Sequence, residues 1–212
     1  MKVWRAYAPW LVALSLGWMV LEWKLGKLGG HLWLNGFRSP IADFAFTWLT
    51  RGGEAGVIVP VFILTAYFAS WRAAFSLGIS ALVVLLTVGI LKNFVFPDAL
   101  RPTGLIDPQA LHLVEGVRMN RNHSFPSGHT MAGFAWTFAL AGFLQPRWTL
   151  FILPFLAVLI GLSRIYLSQH FLVDVVAGAW LGCLIAGWVG KPLERAPAPW
   201  LDRTLLGSTH RQ

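Results

Sequence analysis

Apolar residues dominate six stretches of the chain, at about 6–22, 55–70, 73–95, 129–145, 149–166 and 171–189, and polar residues collect between them. Stretches of this kind, charged only near their ends, read as helices that cross a bilayer, whose hydrocarbon core takes roughly 20 apolar residues to span. The runs at 131–144 and 149–162 reach that length only if the polar residues flanking them belong to the helix. The joints Ser70-Trp71-Arg72, Gln145-Pro146-Arg147 and 163–170 leave room for nothing but tight helical hairpins. Two longer mixed regions remain, 24–53 and 96–128. In the first, Phe37, Ile41, Phe44, Ala45 and Trp48 recur at spacings of three and four, as in a helix that lies in the membrane interface or packs on the bundle. The pattern predicts an all-α fold: a six-span transmembrane helical bundle with an interfacial amphipathic helix after span one.

Six spans have a consequence of parity. The end of span three, the start of four, the end of five and the start of six share one membrane face, and both chain termini share the other. Lys92, Arg101, Ser127, His129, Arg164, His170 and Asp174 all lie at those four places. The side follows from the positive-inside rule. Eight Lys and Arg residues fall on the terminal side and nine on the other, of which Lys92, Arg101 and Arg164 belong to the candidate site. Setting those three aside predicts cytoplasmic termini and an outward-facing site in a bacterial cytoplasmic membrane.

Composition agrees with a chain that dissolves in lipid. Of 212 residues, 56% are hydrophobic and 12% charged, against roughly 25% charged in ordinary soluble domains. No linker or internal repeat divides it, so residues 1–212 read as a single domain with its core at about 55–190. Trp4, Trp23, Trp71, Trp148 and Trp188 stand near run ends, where aromatic belts form. The net charge of +8 does not point to nucleic acid, because the cations are dispersed between apolar runs. Cys183 is the lone cysteine, which excludes an intrachain disulfide and a cysteine metal cluster. Lys2 and Arg5 precede the first apolar run, yet no small-x-small cleavage site follows it, so an uncleaved first span is expected.

Chemistry concentrates in three segments. In Ser163–Asp174, an Arg, a His and an Asp fall where lipid meets water, a costly placement for which function is the default explanation. His170 and Asp174 are four apart, so on a helix the carboxylate can fix the imidazole tautomer and leave the other nitrogen free as nucleophile or base. A plain structural ion pair accounts for the same spacing. In Asn122–Thr130, Ser127 and Gly128 precede an apolar run, and the free N–H groups of a helix start suit phosphate oxygens, while a simple N-cap is the alternative. His129 beside them is placed to protonate a leaving alkoxide. Lys92 and Arg101-Pro102 form the third segment, and with Arg164 they supply three cations for a phosphate dianion. Paired carboxylates and His-x-x-x-His spacing are missing near these residues, so no metal and no cofactor is expected, and protein groups must stabilise the charge.

Taken together, Lys92 with Arg101-Pro102, Pro126-Ser127-Gly128-His129, and Ser163-Arg164 with His170 and Asp174 resemble the three-part signature of the type 2 phosphatidic acid phosphatase family. One departure is the spacing: eight residues separate Lys92 from Arg101 where the family usually has six, and a bulge around Phe96-Pro97 would absorb the excess. The resemblance implies that His170 attacks phosphorus and forms a phosphohistidine, that Asp174 orients it, and that His129 protonates the departing oxygen. Lys92, Arg101, Ser127, Gly128 and Arg164 would bind the phosphoryl group.

The expected function is therefore metal-independent removal of phosphate from a membrane lipid of the phosphatidic acid, phosphatidylglycerol phosphate, undecaprenyl diphosphate or lipid A type. A phosphotransferase using a polyprenyl diphosphate donor would share every residue named. A non-enzymatic anion- or lipid-binding membrane protein is the alternative from another class, and the intact His170–Asp174 pair speaks against it. The soluble vanadate-dependent haloperoxidases share the constellation but are longer and less apolar. His112, Glu115, Arg118 and Arg121 lie where they would grip a headgroup or form only a solvated loop. The expected partners are the lipid substrate and the bilayer, with no obligatory protein partner.

Overall fold

A computed structural model describes residues 2–144 and 147–207; the Gln145-Pro146 joint and Arg211 lie outside the described residues. The described residues are helical, with no strand. Eight α-helices run in order: α1 (Lys2–Asn35), α2 (Pro40–Leu49), α3 (Ala55–Phe68), α4 (Trp71–Ile90), α5 (Pro102–Leu105), α6 (Gly128–Phe143), α7 (Thr149–Tyr166) and α8 (Leu172–Arg195). Serines start several of them. Ser39 Oγ accepts from Ala42 N at 3.1 Å, Ser70 Oγ from Ala73 N at 3.2 Å, and Ser127 Oγ from Thr130 N at 3.4 Å, each satisfying an N–H that the first helical turn leaves unpaired.

By length and hydropathy, three helices can cross a membrane: Trp71–Val95, Thr149–Tyr166 and Leu172–Arg195. A fourth crossing arises if Pro40–Gly53 and Ala55–Phe68, bent by 61° at their junction, count as one broken span. The protein is an integral membrane protein on this ground. Helix α1 departs from the expected 6–22: its helical hydrogen bonding continues to Asn35, with a break at Gly26 (φ 67°, ψ 173°). The apolar run stops at the Lys24–Lys27 segment, but burial of Gly30, His31 and Asn35 holds a second helical piece beyond the break.

Helix α6 is the centre. Its 16 residues, about 24 Å at 1.5 Å per residue, pack against α4, α7 and α8, and Met131, Phe134 and Ala135 are fully buried. The α6–α8 approach depends on Gly178 and Gly182, four apart on α8. A Cβ at Gly178 would stand 2.7 Å from Ser127 O, and one at Gly182 2.4 Å from Met131 O. Small residues at this spacing let two helices meet backbone to backbone where no hydrophobic effect drives them together. Tyr7 of α1 closes the other side against Phe138, ring centroids 5.0 Å apart. Outward positions are apolar instead of charged, among them Leu85, Phe151 and Trp188, as lipid contact requires.

Candidate active site

Four helix termini converge at one end of the bundle. Helix α4 ends in a π-helical turn, Leu91–Val95, that carries Lys92. This wider turn lies just ahead of Phe96, which leaves helical geometry (φ −130°, ψ 49°), so the irregularity expected around Phe96-Pro97 begins at Leu91. Lys92 comes within electrostatic reach of Arg101, Asp174 and Arg164. Arg101 is held by Nε to Asn122 O at 2.9 Å and by Nη1 to Gln169 Oε1 at 2.9 Å and Gln169 O at 3.2 Å. Arg164, in the last turn of α7, donates from Nη1 to Thr50 Oγ1 at 2.5 Å, and its Nε has no hydrogen-bond partner.

The turn from α7 into α8 is built on Arg164 as well, because its carbonyl accepts from Gln169 N at 2.9 Å and His170 N at 3.1 Å. Ser168 adopts a left-handed conformation there (φ 52°). That tight return brings His170 back over the bundle end, where it is fully buried. Its Nδ1 lies 3.3 Å from Asp174 Oδ2. The same oxygen accepts from Ser124 Oγ at 2.5 Å and from Phe171 N at 3.0 Å. A carboxylate only accepts, so Nδ1 carries the proton and Nε2 is left with its lone pair. Burial, reinforced by Arg164, Arg101 and Lys92, holds the His170 imidazole well below the usual histidine range. That environment favours the neutral form of the ring.

Ser127 is buried at the start of α6, its N–H donating to Asp174 O at 3.1 Å and its Oγ accepting from Thr130 Oγ1 at 2.8 Å. Gly128 and His129 follow in the first turn, and His129 Nε2 lies 3.5 Å from Glu54 Oε1. All eight residues expected from the sequence thus gather at one end. None of Lys92, Arg101 and Arg164 has a carboxylate within ion-pair distance among the described residues. Buried cations without a counter-charge are costly, and here they surround a neutral imidazole. No group of three His, Cys, Asp or Glu side chains converges as a metal centre would need among the described residues.

The structure adds residues that the sequence pattern passed over. Ser124 lies inside the quoted Asn122–Thr130 segment, but only the fold brings it to Asp174. Gln169 likewise lies inside the Ser163–Asp174 segment, but only the fold brings its side chain to Arg101, while Thr50 and Glu54 come from a stretch with no helical spacing to the site. Asn35 Nδ2 bonds Tyr166 O at 3.0 Å and Ser168 Oγ at 3.1 Å, and His31 Nε2 lies 3.3 Å from Ser168 Oγ, so the far piece of α1 braces the turn that carries His170. His112 is occupied differently from a headgroup ligand: its Nε2 meets Asp43 Oδ1 at 2.7 Å, beside the Tyr166 hydroxyl that donates to the same oxygen. Arg118 and Arg121 enter through their carbonyls, which accept from Gln169 Nε2 at 3.2 Å and Arg101 N at 2.7 Å, while their side chains, like that of Glu115, are exposed.

The chain is similar to several known proteins. The chain is 28% identical over 172 residues to the undecaprenyl-diphosphatase of Sulfolobus acidocaldarius, covering 81% of this chain and 77% of that one. It is 28% identical over 167 residues to the lipid A 4'-phosphatase of Bacteroides thetaiotaomicron, covering 74% and 72%. The crystal structure of Aquifex aeolicus LpxE superposes with a TM-score of 0.68 at 28% identity, over 76% of this chain and 92% of that chain. The transmembrane phosphatidylglycerolphosphate phosphatase of Bacillus subtilis shares the fold, with a TM-score of 0.61 at 22% identity over 88% and 98%. The family model of the PAP2 superfamily matches residues 57–193, which takes in all eight site residues expected from the sequence, and the chain belongs to that superfamily.

Proposed function

We propose that the protein hydrolyses the phosphate ester or anhydride of a membrane lipid through a phosphohistidine on His170, without a metal. One observation carries this reading: three cations lacking carboxylate partners, with one buried guanidinium nitrogen unbonded, ring a neutral imidazole whose tautomer a carboxylate holds. That is the donor set for a phosphoryl dianion facing a nucleophile. His170 Nε2 attacks phosphorus, a P–N bond forms and the P–O bond to the lipid breaks. His129 gives its proton to the departing oxygen. Water then attacks the phosphohistidine, the P–N bond breaks, and His129 takes back a proton. Lys92, Arg101 and Arg164, with the Ser127 hydroxyl and the Gly128 N–H, hold the phosphoryl oxygens throughout.

The membrane arrangement belongs to the same reading. Six helices, the near piece of α1 with α3, α4, α6, α7 and α8, cross the bilayer, both termini are cytoplasmic, and the site opens outward in a bacterial inner membrane. Helix α2 lies in the interface, supported by one exposed face of Ile41, Phe44 and Trp48. The substrate class is shared with the named relatives: undecaprenyl diphosphate, lipid A or a glycerophospholipid phosphate. The test is phosphate release by detergent-purified protein from four lipids, phosphatidic acid, phosphatidylglycerol phosphate, undecaprenyl diphosphate and lipid A, with EDTA present. His170→Ala is expected to abolish release from every one of them. Release at the wild-type rate by that variant would end the mechanism, and dependence on a divalent cation would end its metal-free form.

A further inference from the structure

Between α2 and α3, residues Thr50–Gly53 form a 3-10 turn that is pinned to the site end at three points. Thr50 Oγ1 accepts from Arg164, Gly52 O accepts from Trp136 Nε1 of α6 at 2.8 Å, and Gly53 lies flat against the His129 backbone. A Cβ at Gly53 would stand 2.6 Å from His129 O and 2.7 Å from His129 Cα, so only glycine permits this approach. The next residue is Glu54. It occupies the N-cap of α3 with extended backbone (φ −105°, ψ 154°), yet its side chain caps nothing. Its carboxylate turns instead to His129, Oε1 to Nε2 at 3.5 Å. Around that imidazole the other charged or titratable groups are Arg164 on α7, Lys92 on the π turn, Arg101 on the 97–101 loop and His170. Every one of them is cationic or becomes so on protonation, and Glu54 also acts electrostatically on Arg164.

We propose that Glu54 is the positioning residue of His129, as Asp174 is of His170, so that the site contains two histidine–carboxylate pairs with opposite tasks. The inference rests on the proposed role of His129 as proton donor. Glu54 accepts from Nε2–H and leaves Nδ1–H for the departing oxygen. After transfer the neutral ring keeps its proton on Nε2, and Nδ1 is free to take one from the attacking water. A carboxylate is needed because burial and the three surrounding cations oppose the imidazolium, and a neutral ring with its proton on Nε2 has none on Nδ1 to give. The turn's anchors serve this purpose: they fix the carboxylate on the imidazole from outside the α6–α8 pair.

The experiment uses the full-length protein in detergent and two phosphate esters, a lipid alkyl phosphate and p-nitrophenyl phosphate, whose activated leaving group needs no proton. The esters are compared on kcat/KM, which ends at P–O cleavage, because hydrolysis of the phosphohistidine is common to both. Glu54→Gln is expected to lower kcat/KM about 10–100-fold on the alkyl ester, through kcat more than KM, and to leave it nearly unaffected on the aryl ester. The alkaline limb of kcat on the alkyl ester shifts to lower pH, since loss of the carboxylate favours the neutral ring. His129→Gln is the reference and should show the same selectivity, more strongly. If His129→Gln slows both esters equally, or neither, the proton-donor role itself falls. If His129→Gln is selective but Glu54→Gln slows both esters equally, or neither, Glu54 is not its positioning residue. Should Glu54→Gln fail to fold, Glu54→Asp decides: a smaller loss confined to the alkyl ester supports the pairing, and a wild-type ratio between the esters overturns it.

Discussion

Two buried arginines, at opposite ends of the bundle, live in opposite circumstances. Arg72, at the start of α4, is saturated: Asp202 receives Nε at 2.6 Å and Nη2 at 3.0 Å, and the carbonyls of Leu193, Ala196 and Ala198 take its other N–H groups. Arg164, at the end of α7, has Thr50 Oγ1 and no carboxylate, and its Nε is unbonded. Exposure does not separate them, at 9% and 6%. Satisfaction does. A guanidinium whose five donors are spent on its own chain is a clasp, and here it ties the segment after α8 to the α3–α4 hairpin, with Trp71 N bonding Arg203 O at 3.0 Å and Leu205 N bonding Ala66 O at 2.7 Å. One that the protein leaves unsatisfied, beside two further cations without a carboxylate, is the group that the proposed function assigns to a ligand's charge.

The contrast breaks if the two residues respond alike to removal. Arg164→Ala is expected to cost about 10²–10³ in kcat/KM, the scale of losing a charged donor aimed at the transition state, while the melting temperature in detergent changes little. Arg72→Ala should do the reverse, lowering stability by about 1–3 kcal/mol, a figure reduced from that of a fully buried pair because Asp202 is half-exposed. Its kcat/KM per folded molecule should stay at wild type, and a comparable loss of activity in the two variants would erase the distinction. Smaller still, Lys92→Ala is expected to raise KM about tenfold with kcat nearly kept, since two cations remain to compensate.

The finest test uses pH. The depressed His170 value keeps the imidazole neutral as pH falls through about 6.5, so the acid limb of kcat/KM should lie below the ordinary histidine range. Lys92→Ala removes one of the cations opposing its protonation, and the limb should move to higher pH. The same shift makes stability pH-dependent: an unfolded chain takes up a proton near pH 6.5 and the buried ring does not, so thermal stability should decline as pH drops below that point. A limb unmoved by Lys92→Ala would show that the cation ring does not act on His170.

How much could be read beforehand differs by residue. The four helix ends and the residues upon them were legible, because apolar period and the spacing of His170 and Asp174 are properties of consecutive residues. Helix α2 and its apolar spacing were legible for the same reason. The second piece of α1 was not, since Lys24, Gly26 and Lys27 interrupt the hydrophobic pattern and only burial of His31 and Asn35 against Tyr166 and Ser168 restores a helix there. Glu54, Thr50 and Ser124 escaped for a related cause: each meets its partner across a separation of 50 residues or more.

What the linear order of residues determined, then, was an apolar helical chain with its ionisable groups confined to helix ends, because membrane solubility and helical period are both written locally. The tertiary structure decided which of those groups are spent on the fold and which it leaves unsatisfied. The sequence put Arg72 in a hairpin joint and Arg164 in the candidate segment, but that the first is saturated and the second is not shows only in the packed chain. The difference lies in partners brought from elsewhere in the chain, and hydrogen-bond satisfaction is a property of the packed molecule alone.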